Sequence, residues 1–148
     1  MATLHLICGL PGSGKSTLAA KLAEAANTIW LSPDRWLHAL DLDGYDEARR
    51  GAVERLQWNL ALRLLVLGVD VILDNGFWTR SEREALRTEA AALGACVRLH
   101  YLGVPIDELK RRLAIRNQSA DDDSFVVSPD DLDQMRAAFE PPDMDELG

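Results

Sequence analysis

Short unbroken apolar runs alternate along the chain with longer stretches whose apolar positions repeat at the helical period. Residues 4–8 form the first run and predict a strand, and residues 18–26 predict an alanine-rich helix with Leu18, Leu22 and Ala25 on one face. A second strand is expected over 28–31. Ser32, Pro33 and Asp34 then make a helix start, with Ser32 as N-cap, Pro33 at the first helical position and Asp34 in the first turn. Residues 40–45 are a polar connection containing Gly44, and the longest helix pattern runs over 46–67 and closes at Gly68. Its second half, 58–67, is apolar nearly all round, which predicts that it is largely buried.

Residues 69–73 read as a central strand ending at Asp74, and Asn75-Gly76 reads as a turn. Thr79 with Glu82 three residues later forms a capping box for a helix that stops at Gly94, and 97–102 is the fourth strand. Pro105 opens a helix with Asp107 and Glu108 in its first turn, Ile106, Leu109 and Leu113 facing inward, and Arg112 and Arg116 one turn apart on another face. Residues 118–123 are polar and expected to be mobile. Ser128-Pro129-Asp130-Asp131 caps a last helix to about Phe139, beyond which Pro141-Pro142 and an acidic tail predict a fraying end. The strand–helix alternation predicts one α/β domain over 1–148, with a parallel sheet of four strands, or five if 125–127 joins it, and helices on both faces.

Composition changes this picture little. No apolar run is long enough for a membrane span and the chain opens on its first strand, so no signal peptide or membrane contact is expected and the expected location is the cytoplasm. Cys8 and Cys96 read as two buried reduced thiols. The net charge of −8 divides unevenly, with −9 in the acidic segment 121–148 and +1 in 1–120. Whole-chain acidity therefore argues only weakly against a nucleic-acid partner, although no broad basic face is evident.

The candidate chemistry centres on Gly9-Leu10-Pro11-Gly12-Ser13-Gly14-Lys15-Ser16-Thr17, between the first strand and the first helix. A Gly-x-x-x-x-Gly-Lys-Ser pattern in that context is a phosphate-binding loop, because its glycines let successive N–H groups converge on an anion at a helix N-terminus. A nucleoside triphosphate is the natural occupant. Lys15 is expected to reach the β- and γ-phosphates, Ser16 to offer its hydroxyl to Mg²⁺, and Thr17 to lie near the α-phosphate.

With Asp34 after the second strand, Asp74 ending the third, and Arg112 and Arg116 on the helix after the fourth, the chain resembles the P-loop small-molecule and polynucleotide kinases. That group includes chloramphenicol phosphotransferase, polynucleotide 5′-kinase and zeta toxins, and the resemblance spans residues 4–117. It implies a three-layer P-loop NTPase fold with strand order 2-3-1-4-5 and a mobile arginine-bearing lid, here about 105–123. It also implies Asp34 as the general base for an acceptor hydroxyl, Asp74 as a Walker B acid for Mg²⁺, and Arg112 and Arg116 as lid arginines over the γ-phosphate. Where polynucleotide kinase and zeta-toxin relatives commonly carry an arginine three residues after the acid, this chain has Leu37, and the adjacent Arg35 points about 100° away on a helix.

Trp78, Arg80 and Arg83 follow Asp74 and offer a pocket wall and a grip for an anionic group, while Trp36 and Trp78 fit a core or a pocket equally. The expectation is an ATP- and Mg²⁺-dependent kinase of a small-molecule hydroxyl. Its rivals are a nucleic-acid 5′-hydroxyl kinase and a nucleotide-dependent switch or ATPase acting through a protein partner.

Overall fold

The computed structural model describes residues 1–118 and 125–147. Its strands are β1 (Thr3–Cys8), β2 (Thr28–Leu31), β3 (Asp70–Gly76) and β4 (Cys96–Tyr101). They form one parallel sheet in the order β2-β3-β1-β4, which fills the first four places of the expected order. Residues 125–127 add no fifth strand. They run as irregular chain instead, held by Asn117, whose Nδ2 donates to the Val127 carbonyl at 2.7 Å.

Alternation along β1 sorts its side chains between two layers. Leu4 and Leu6, with Val71 and Leu73 of β3, pack against Ala61 and Leu65 of α3 (Glu47–Val66) and Ala90 of α4 (Arg80–Ala92). Ile7 and Ile72 face the other way onto Ala19 of α1 (Lys15–Leu22). The helices therefore cover both faces, as expected. The short α2 (Pro33–Ala39) starts at the end of β2 with the Ser32 hydroxyl accepting from the Arg35 N–H at 3.4 Å. Beside the sheet, α5 (Ile106–Gln118) and α6 (Pro129–Ala138) bury Leu109, Leu113 and Leu132 against Leu10 of the phosphate loop, which packs the loop on the helices that follow it in space.

Several expectations are corrected. The second half of α3 is not buried all round, since Leu60, Val66 and Leu67 are 40%, 55% and 61% exposed. One stripe of a helix suffices to cover a sheet, and the rest of its circumference faces water however apolar it is. Asn75-Gly76 does not turn the chain, because β3 continues through Gly76, which pairs with Cys8 of β1. Cys96, on the edge strand β4, is exposed, whereas Cys8 is buried and its thiol pushed up to about 11 by burial. The expected mobile stretch lies, apart from Gln118, outside the described residues.

The acidic end does not fray within the described residues. It forms α7 (Met144–Leu147), whose Glu146 accepts from Arg83 Nε at 2.8 Å and Nη2 at 3.1 Å. Arg80 binds the same segment through Asp143 at 2.9 Å and Asp145 at 2.6 Å. Arg83 and Glu146 side chains are 0% and 1% exposed, which makes this a buried bidentate pair under a thin cover of chain. No described helix is long and apolar enough to cross a membrane.

The Arg83 hydrogen bonds hold the Glu146 carboxyl down to about 2, against 4.5 for a free glutamate. A depressed folded value means that the stabilisation is complete above the unfolded pKa and is lost as pH falls from about 5 towards 2. Glu146→Ala leaves Arg83 buried without its partner and should cost about 3 kcal/mol in urea denaturation at pH 7, the low end for a buried pair under a thin cover. The difference between the variant and the parent should shrink across that acid window.

Candidate active site

The phosphate loop takes its shape from two left-handed residues, Gly12 (φ 85°) and Gly14 (φ 98°), the latter being the N-cap of α1. Side chains are strained at such angles, so the motif's glycines are required by the backbone itself. Gly9 N–H donates to the Gly76 carbonyl at 3.0 Å, which ties the loop to the tip of β3. Lys15 Nζ folds back onto the Leu10 carbonyl at 3.0 Å. Burial pulls its pKa down to about 8, while the carboxylates of Asp34 and then Asp74 favour its charge.

Asp74 lies at the end of the buried part of β3, only 8% exposed, and accepts from Trp30 Nε1 at 3.1 Å. Burial is the largest influence on it and pushes its pKa up to about 6, against the hydrogen bond from Trp30. Asp34, in the first turn of α2, faces the same space and pairs with Arg50 of α3 at 2.7 Å. Arg112 Nη1 donates to the Gly12 carbonyl at 3.3 Å while its Nε donates to Glu108 Oε1 at 3.0 Å. Arg116 Nη2 donates to the Phe125 carbonyl at 3.1 Å.

These groups surround one cleft of about 850 Å³. Its lining brings together Pro11, Gly12, Gly14, Lys15, Ser16 and Thr17 of the loop with Asp34, Asp74, Trp78, Arg112 and Arg116. Leu10 is in the core, and Ser13 is buried with no partner for its Oγ among the described residues. Three expected residues are elsewhere. Arg35 stacks over the Trp30 ring at 4.4 Å. Arg80 and Arg83 grip the C-terminal acids, as described above, so that the grip for an anion foreseen after Asp74 is already filled by the chain's own carboxylates. Trp36 packs with the core, whereas Trp78 does both, lining the cleft and packing against the α5–α6 cluster.

The sequence reading missed Glu47, Arg50 and Glu54 of α3, which also line the cleft. Their spacing of three and four residues puts them on one helical face, and charged residues recurring on one face of an otherwise apolar helix are a usable signal. As a metal site, the Ser16 hydroxyl and the Asp74 carboxylate are hard oxygen donors, and a buried carboxylate with a raised pKa is relieved by a cation. That donor set fits Mg²⁺, which commonly takes one or two protein oxygens and completes its shell with phosphate and water.

A family model described as an AAA domain matches residues 4–142. The chain belongs to this AAA domain family. No curated protein matches it significantly in sequence. Among solved structures, a chain of the Pnkp1/Rnl/Hen1 RNA repair complex superposes with a TM-score of 0.79 at 18% identity, covering 93% of this chain and 43% of that one. A gluconokinase from Sinorhizobium meliloti 1021 gives 0.67 at 18% identity, over 99% of this chain and 79% of the other. Kti12 from Chaetomium thermophilum, solved with ADP-AlF3, gives 0.71 at 19% identity, over 95% and 81%. This AAA domain thus has the fold of P-loop kinases, and it spans less than half the length of the RNA repair chain it matches.

The raised pKa of Asp74 has a cost in stability. Its native state holds a proton more firmly than the unfolded chain between pH 3.8 and about 6, so stability falls as pH rises through that window and stays lowered above it. Asp74→Asn retains an acceptor for Trp30 and removes the charge. Thermal and urea denaturation at pH 8 should find the variant more stable by about 2 kcal/mol, the gain vanishing as pH falls through that window.

Proposed function

We propose that this AAA domain transfers the γ-phosphoryl group of ATP to a hydroxyl of a small molecule. The observation that carries the reading is the mixed charge of the cleft. Lys15, Arg112, Arg116 and the N-terminus of α1 line it together with Asp34, which pairs with Arg50. The cations and the helix end suit a triphosphate, and the carboxylate suits an alcohol that must lose a proton.

In this reading the loop amides and Lys15 hold the β- and γ-phosphates, with Ser16 and Asp74 positioned to hold Mg²⁺. Mg²⁺, when bound, supplies further neutralisation of phosphate charge. Asp34 takes the acceptor's hydroxyl proton as the acceptor oxygen forms its bond to γ-phosphorus and the bond to the β,γ-bridging oxygen breaks. The nucleoside diphosphate leaves with that electron pair. Arg112 and Arg116 spread the charge on the transferring group. The pairing of Asp34 with Arg50 keeps the carboxylate aimed.

A second reading, a 5′-hydroxyl kinase of nucleic acid, is favoured by the likeness to the RNA repair chain. Opposing it are the acidic residues Glu47, Glu54, Glu82 and Asp131 around the cleft, which repel a phosphate backbone.

Incubation with γ-labelled ATP and Mg²⁺ against pooled alcohols and 5′-hydroxyl oligonucleotides tests both. The expected product is a labelled small molecule. Release of inorganic phosphate alone counts against transfer and favours a nucleotide switch. Lys15→Ala should lower turnover by at least about 10²-fold. Asp34→Asn should lower kcat by about 10²- to 10⁴-fold while ATP affinity is kept, and full transfer by that variant would remove Asp34 as the base.

A further inference from the structure

A second recess, of about 280 Å³, adjoins the cleft and shares Glu54, Asn75, Phe77 and Glu82 with it. Leu73 and Phe77 of the core form part of its apolar lining, and Trp58 of α3 and Leu86 of α4 form part of its walls. Gln57 lines it too. That residue is 1% exposed, and among the described residues neither its Nε2 nor its Oε1 has a hydrogen-bond partner. Asn75 Oδ1 is likewise buried and unpartnered, while its Nδ2 reaches only as far as Glu54 Oε2, at 3.5 Å. Buried amides are ordinarily bonded, so two of them lining one recess describe a surface made to be met by hydroxyl or amino groups.

Charge narrows the class. Glu54 lies between the recess and the cleft, and Glu82 stands at the exposed rim. The neighbouring cations are engaged elsewhere: Arg50 with Asp34, and Arg83 and Arg87 with Glu146. Arg55 also borders the recess, but its Nη1 lies back over Gly51, 3.3 Å from where a β-carbon would stand there. Burial raises the Glu54 carboxyl above its ordinary range despite the opposing charge of Arg50, with Asp34 adding to the push, and burial followed by the Glu54 charge does the same for Glu82 despite Arg83. A cation between the two carboxylates relieves both, and the Trp58 ring beside them suits a protonated amine or the face of a sugar.

Resting on the kinase reading above, we infer that this recess is the acceptor subsite and that the acceptor is a hydroxylated amine, an amino sugar, aminocyclitol or amino alcohol. Its ammonium lies between Glu54 and Glu82, its other hydroxyls meet Gln57 and Asn75, and the hydroxyl that reacts points back along α3 towards Asp34. Glu47, Arg50, Glu54 and Gln57 follow one another on this helix at spacings of three and four, a polar track leading from the cleft into the recess. Sugar acids and nucleotide 5′-ends are disfavoured by the same carboxylates.

The test is labelled phosphoryl transfer from MgATP to three arms of alcohols: hydroxylated amines, neutral polyols and nucleosides, and anionic alcohols including sugar acids and 5′-hydroxyl oligonucleotides. Product is expected in the amine arm. Glu82→Gln should raise KM for that amine about tenfold with kcat nearly unchanged. Gln57→Leu should raise KM as well, yet raise the Tm of the free protein, since it removes an unbonded buried amide; a purely structural role would change Tm alone. Stabilisation by MgATP should persist in both variants, which checks the nucleotide end separately. Product confined to the neutral or anionic arm overturns the subsite and leaves the kinase standing, as does an amine product whose KM ignores both substitutions. No product in any arm overturns both.

Discussion

The structure depends on how the chain leaves the end of β3. Gly76 and Phe77 are consecutive left-handed residues, at φ 90° and 48°, and an L-residue such as Phe77 holds that conformation only where its surroundings fix it. The Arg83 guanidinium supplies the fixing. Its Nη1 donates to the Phe77 carbonyl at 2.8 Å from a position with no solvent exposure, and its remaining nitrogens bind Glu146. The Gly76 carbonyl accepts from Gly9 at the mouth of the phosphate loop. One buried cation therefore connects the chain just after β3, the start of the loop and the C-terminal helix α7.

That arrangement explains why the site can hold charges at a cost. Asp74 and Lys15 are opposite charges that burial pushes towards neutrality from both sides, the acid up to about 6 and the amine down to about 8. A fold without a site would replace such a pair by apolar groups. Here the surrounding core, Leu6, Leu31 and Leu73 among it, holds the strand ends that carry these charges. Cations from α1 and α5 line the same cleft as the carboxylates of α2, α3 and α4.

Much of the fold was legible in the sequence, and for identifiable reasons. Four apolar runs gave four strands, and Ser32, Thr79 and Ser128 each accept the cap hydrogen bond their patterns implied. These are local signals, set by residues a few positions apart. The same locality misled at 75–76, where Asn-Gly has turn chemistry but the parallel pairing of Cys8 with Gly76 keeps both residues in β3. It misled again over the apolar half of α3, because composition counts apolar residues and says nothing of how much sheet there is for them to cover.

For the site, the loop was fixed by its own spacing, and Asp34, Asp74, Arg112 and Arg116 could be expected at its edge because parallel α/β topology delivers strand ends and helix starts to one side of the sheet. What the sequence determined by itself was thus the element order, the caps, the phosphate loop and the edge to which the charged residues come. The tertiary structure alone decided which charges pair. Arg83 and Arg80 lie close in sequence to Asp74 and read equally well as ligands for an anionic substrate, yet their partners, Glu146, Asp143 and Asp145, lie some sixty residues on and meet them only once the C-terminal segment has folded back. Arg50, which no motif marked, reaches Asp34 because α3 packs beside α2. A charge's role depends on what lies within a few ångströms of it, and for groups far apart in sequence that distance is set by packing.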